Sequence, residues 1–211
     1  YGHEIMNIIE AFFLGIIQGL TEFLPISSSG HLVLAQHFLN INEKGIILEI
    51  VLHMGTLVAI TIYYYRDIQD LIKDTINDTN GARNYILYLV LATIPAVFFG
   101  LFLEDFIESN FIPSSVSFMF FLTGLFLAST YFFIGKNIKK ISLQIAICVG
   151  LAQACALMPG ISRSGFTISI ALMMGVQHYE AAKFSFFMAI PILLGAGFFQ
   201  FIRASDFNQL Q

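Results

Sequence analysis

An all-α, polytopic membrane protein is predicted from three features of the chain: its composition, its uncharged windows and an internal duplication. Hydrophobic residues make up 57% of the 211 positions and charged residues only 11%. Mean hydropathy is +0.78, well outside the balance of a soluble domain. Residues 85–103 and 115–135 contain no Asp, Glu, Lys or Arg, and each approaches the ~20 apolar residues that cross a bilayer as a helix. The segment GIIQGLTEFLPISSSG (15–30) lies on GLAQACALMPGISRSG (150–165) without gaps. The copies share glycine, glutamine, isoleucine, two serines and the closing glycine. Duplicated polar breaks within apolar segments point to a membrane binding site built from two halves.

Residues 5–40 come first. The 31–41 run after the Ser/Gly turn is too short to cross, and apolar runs of about 10–14 residues suit re-entrant elements. Residues 5–40 are therefore expected to form a re-entrant helical hairpin with SSSG at its tip. Residues 46–65 follow as a spanning helix that carries Glu49 and His53. In 66–84, Ile68, Leu71, Ile72 and Ile76 recur at helical spacing among polar residues, which predicts an interfacial helix. Residues 85–103 and 115–135 are the next two spans. Residues 141–176 repeat the hairpin with SRSG at its tip, and 181–202 is a further span whose interior charge is Lys183. The whole chain, 1–211, is thus one membrane domain: a first repeat at 5–135 and a second at 141–211. By symmetry about two more helices are expected after 202, so the chain is expected to be C-terminally shortened.

Basic residues set the topology. Arg66, Lys73 and Arg83 lie in one connection and Lys136, Lys139 and Lys140 in the next but one, whereas 104–113 holds Glu104, Asp105 and Glu108 and no basic residue. The positive-inside rule places the two basic connections in the cytoplasm and the acidic one outside. The motifs are then approached from opposite faces, which makes this an inverted-topology repeat. No basic leading region precedes the first apolar stretch, so no cleavable leader is expected there. Cys148 and Cys155 lie about 10 Å apart along one expected helix, too far for a disulfide. The net charge of −4, with no long basic run, argues against a nucleic-acid partner.

The chemistry sits at the tips. Ser27, Ser28, Ser29 and Gly30 precede a helix, so backbone N–H groups and the positive helix end form an anion cradle. Glu22 and His31 flank it and can handle protons for a serine nucleophile. A carboxylate in a membrane helix is expensive and usually functional. The second tip, Ser162-Arg163-Ser164-Gly165 followed by Thr167, repeats the cradle and adds a guanidinium, whose planar fork suits phosphate oxygens. Glu49 and His53, four apart on one face, could hydrogen-bond or hold a cation; a supporting role is as plausible for them as direct contact. From residues alone two classes stay open: a hydrolase of a lipid diphosphate, and a transporter or flippase of an anionic, phosphorylated lipid. The Glu22/Ser28/His31 grouping favours the enzyme, because transport needs no nucleophile beside a base.

At these motifs the chain closely resembles the bacitracin-resistance family of undecaprenyl-diphosphate phosphatases. The resemblance rests on Gln18-Gly19-Leu20-Thr21-Glu22-Phe23-Leu24-Pro25-Ile26-Ser27-Ser28-Ser29-Gly30-His31 and on Pro159–Gly165 with Thr167. Gln18 stands where the family motif admits Glu or Gln; an amide orients but cannot act as a base, which leaves the carboxylate role to Glu22. The resemblance implies hydrolysis of undecaprenyl diphosphate to the monophosphate and phosphate, recycling the lipid carrier of peptidoglycan synthesis. It implies a site open to the outer face of the bacterial plasma membrane and a divalent cation, Mg2+ or Ca2+, at a position the sequence does not give. Carried over by position, Ser28 is the nucleophile, activated by Glu22 or His31, with His31 as the competing nucleophile and Arg163 holding the diphosphate. Gln18, Ser27, Ser29, Gly30, Ser162, Ser164, Gly165 and Thr167 are expected to bind substrate. The expected partners are the isoprenoid diphosphate and the membrane, with a homodimer compatible with both.

Overall fold

The computed structural model describes residues 7–41, 46–133 and 139–208; Lys136 lies outside them, as does the side chain of Glu49. The described residues are all-α. In chain order the helices are α1 (Ile8–Thr21), α2 (Ser28–Phe38), α3 (Ile46–Tyr63), α4 (Tyr65–Asn77), α5 (Ala82–Phe102), α6 (Glu104–Ser109), α7 (Pro113–Phe133), α8 (Leu143–Cys155), α9 (Arg163–Met173) and α10 (His178–Asn208). Three of them are long and apolar enough to cross a membrane: Ala82–Phe102, Pro113–Phe132 and His178–Phe198. Many of their side chains face outward, including Phe102 at 71% and Phe132 at 80% exposure. Such exposure is untenable in water over a large patch and natural against lipid.

The two motifs fold alike. Shifting the chain by 135 positions, from Gly15 to Gly150, carries α2 (Ser28–Phe38) onto α9 (Arg163–Met173) residue for residue. The same shift puts α1 on α8 to within one residue. Ser27 and Ser162 occupy the same N-cap, each accepting from the backbone N–H three residues on, Gly30 and Gly165. A serine side chain at this position satisfies one of the orphan donors of a helix start. At 11 to 14 residues and ~1.5 Å per residue, each of these four helices is shorter than the ~30 Å hydrocarbon core.

Close backbone approaches lock the second hairpin against the spans. A Cβ on Gly150 would lie 2.6 Å from the Ala92 carbonyl oxygen, so α8 rests directly on α5. Phe126 of α7 stacks on Phe166 of α9 at 4.2 Å. The main core gathers Ile60, Leu89, Val149, Leu172, Phe184 and Met188 from α3, α5, α8, α9 and α10, and a smaller one joins Leu14 and Leu32 of α1 and α2. Packing contacts of this kind, rather than exclusion from water, hold helices together in lipid.

The expected interfacial segment is α4, which buries no residue fully; Ile68 and Leu71 lean on the core while Ile72 and Ile76 stay exposed. Asp67 of α4 pairs with Lys183 of α10, and this explains the lone charge within the last span. The acidic connection contains one short helix, α6, that periodicity did not reveal. Both cysteines are free, and Cys155 is exposed rather than buried in the core.

Candidate active site

The two tips meet. Ser164 Oγ donates to the Leu24 carbonyl at 3.1 Å, and a Cβ on Gly30 would stand 3.0 Å from Gly160 Cα and 2.6 Å from the Phe120 ring. Glycine is required at 30 by this contact and at 160 by α7, where a Cβ would lie 2.7 Å from the Val116 carbonyl oxygen; Gly160 also has φ +96°, a region that disfavours residues with a Cβ. Thr123 of α7 pins the second tip from outside, donating to the Gly160 carbonyl at 3.0 Å and accepting from Ser162 N at 3.3 Å.

Glu22, just past α1, is the centre of the arrangement. Its Oε1 pairs with Arg163 Nη2 across 141 positions of sequence. Its Oε2 accepts from Ser28 Oγ at 2.5 Å and Gln18 Nε2 at 3.2 Å, and lies 3.3 Å from His53 Nε2. The carboxylate side chain is only 5% exposed. A buried charge is tolerable when it is both paired and hydrogen-bonded, and here four side chains do that. Arg163 opens α9 at its positive end, and its buried Nη1 has no hydrogen-bond partner among the described residues. One arm of the guanidinium is thus committed to Glu22 and the other is unsatisfied.

These groups border a cavity of about 220 Å³ with a polar floor and an apolar wall. Glu22, Ser27, Ser28, Ser29, Ser162, Arg163 and Ser164 form the floor, and Ile50, Leu157, Ile192, Leu193 and Ala196 the wall. Ser27 reaches its capping position with φ +66°, a left-handed conformation that costs a non-glycine residue about 1–3 kcal/mol and tends to mark functional turns. Its counterpart Ser162 is relaxed, at φ −77°.

Other expected residues lie off the cavity. His31 turns away: its Nδ1–H donates to the Ser27 carbonyl at 2.8 Å, and its ring packs on Phe120 at 5.0 Å. Gln18 touches Glu22 from behind. Thr167 is fully buried and spends its hydroxyl on the Arg163 carbonyl and Ser185. Gly30 and Gly165 serve close packing, since a Cβ on Gly165 would meet Ser162 at 3.0 Å. Two residues at the site were not singled out from sequence. Gln153, on the cavity wall, is the counterpart of Gln18, and the duplication could have flagged it. Thr123 carries no sequence signal at all.

The resemblance implies a divalent cation, whose ligands would come from the residues around this cavity. Among the described residues no three His, Cys, Asp or Glu side chains converge. Glu22 with the serine hydroxyls of the cavity would supply oxygen donors beside a diphosphate's own, the donor type that a hard cation takes.

Comparison with known proteins identifies the family that carries these motifs. The family described as bacitracin resistance protein BacA matches residues 11–211. An undecaprenyl-diphosphatase of Desulforudis audaxviator is 40% identical over 202 residues, spanning 94% of this chain and 77% of the relative. One of Rubrobacter xylanophilus is 40% identical over 208 residues, 93% of this chain and 76% of the relative. Undecaprenyl-diphosphatase 4 of Bacillus cereus is 43% identical over 200 residues, 93% and 75% respectively. With nearly its whole length matched, the chain belongs to the bacitracin resistance protein BacA family.

Proposed function

We propose that this chain, like the relatives it matches, is an undecaprenyl-diphosphatase that releases phosphate from undecaprenyl diphosphate and returns the monophosphate carrier to peptidoglycan synthesis. The observation that carries the reading is the Glu22 carboxylate shared by Ser28 and Arg163 on one cavity floor. A hydroxyl donating at 2.5 Å to a carboxylate is placed to lose its proton as it attacks. A guanidinium at the same carboxylate is placed to take the charge that builds on a phosphoryl group.

In this mechanism the diphosphate engages Arg163 through its unsatisfied Nη1 and the N-termini of α2 and α9. Ser28 Oγ attacks the terminal phosphorus and its proton passes to Glu22 Oε2. The bond to the bridging oxygen breaks, and the lipid monophosphate departs with the electron pair. Water then attacks the phosphoserine; Glu22 returns its proton to Ser28 Oγ as that P–O bond breaks, and phosphate leaves. The apolar wall of α10 suits the first isoprene units. His31 is the weaker nucleophile candidate, because its ring is held by Ser27 and Phe120 away from the cavity. No step is routed through a cation.

We read the α1–α2 and α8–α9 pairs as re-entrant hairpins of an inverted repeat. The equal helix bounds and the alternating loop charges support that reading, with the site open to the outer face of the plasma membrane. The test is phosphate release from a prenyl diphosphate in detergent. Ser28→Ala and Arg163→Ala should each reduce it by at least 10³-fold, within the range lost when a nucleophile or charge-stabilising group is removed. Retained turnover in Ser28→Ala would move the nucleophile to His31. A wild type that carries lipid across liposomes without releasing phosphate would favour transport instead.

A further inference from the structure

We infer that His53 is a positioning residue for this reaction: its imidazole holds Glu22 toward Ser28. The inference rests on the hydrolytic reading above. His53 Nε2 lies 3.3 Å from Glu22 Oε2, the same oxygen that accepts from Ser28 Oγ at 2.5 Å. An N–H directed at Oε2 fixes the carboxylate's rotation and therefore the direction of the lone pair that must receive the serine proton. Its side chain is 17% exposed and borders the cavity. It comes from α3, outside both tips, and α3 is held against α10 where a Cβ on Gly197 would lie 3.0 Å from Met54 Sδ.

The experiment measures kcat and KM for wild type, His53→Gln and His53→Ala, with a short prenyl diphosphate in detergent. Glutamine keeps an N–H donor, so kcat should stay within about threefold of wild type. Alanine loses the orientation, and kcat should drop by roughly tenfold or more with KM little changed. An unaltered kcat in His53→Ala overturns the inference, as does a His53→Gln loss as large as that of His53→Ala. If His53→Ala fails to fold, His53→Leu, which fills the space without a donor, takes its place under the same criteria. A wild type that releases no phosphate overturns the hydrolase reading and this inference with it. An active wild type with an unaltered His53→Ala overturns only the inference.

Discussion

Glu22 and Arg163, 141 positions apart, close an ion pair at the point where the two Ser/Gly tips touch. Each is the other's principal compensation inside an apolar bundle, so neither can be removed cleanly. Arg163→Ala leaves a carboxylate buried and uncompensated, and should cost about 3–5 kcal/mol of stability. The double variant Glu22→Gln/Arg163→Met should recover most of that while staying inactive. Thermal unfolding in detergent, read beside phosphate release, separates the two effects; equal unfolding temperatures for the single and double variants would refute the coupling.

Arg163→Lys keeps the charge but replaces a planar fork with a single ammonium. It should retain the fold and lose about 10²-fold or more in kcat/KM, since paired donation to phosphate oxygens is gone. Turnover near the wild-type value would mean that a point charge is sufficient.

Gly160→Ala tests how closely the second tip packs on α7. The new methyl would sit 2.7 Å from both the Val116 carbonyl and Met119 Cβ, at φ +96°. Destabilisation of about 2–3 kcal/mol is expected from the combined clash and backbone strain. Gly195→Ala, where a Cβ meets nothing within 4 Å, is the control and should shift the unfolding temperature little.

Thr123→Val keeps shape and removes one hydroxyl that both donates to Gly160 and supports Ser162 N. The loss should be about 1–3 kcal/mol, the cost of leaving buried partners unsatisfied, with kcat reduced as Ser162 and Arg163 drift. A variant with wild-type stability and wild-type kcat would show that the second tip does not depend on α7.

What was legible in the chain was whatever repeats or alternates. Uncharged windows marked α5 and α7, an apolar run interrupted only by Lys183 marked α10, and the duplicated motif anticipated helix pairs with matching bounds. Glu22 and Arg163 stood out because a carboxylate or guanidinium in lipid has few structural excuses, and Ser28 because it sits in the duplicated Ser/Gly turn. His31 read as a neighbour of Ser28 because it is close in sequence, yet a helix start sends it the other way, onto the Ser27 carbonyl and Phe120. Thr167 looked like a phosphate ligand by its motif, but four residues into α9 it points back at the Arg163 carbonyl. Thr123, remote in sequence and chemically ordinary, matters only through where α7 passes. Lys183 could be seen as an anomaly, while its answer, Asp67, required tertiary structure.

The shared carboxylate also bears on how ionic machinery can be lodged in oil. With guanidinium and carboxylate neutralising one another, the couple adds almost no net charge to the hydrocarbon around it. Because only one arm of the guanidinium is tied to Glu22, a pyrophosphate can take the other arm without breaking the couple, and the counter-charge stays in place throughout the chemistry.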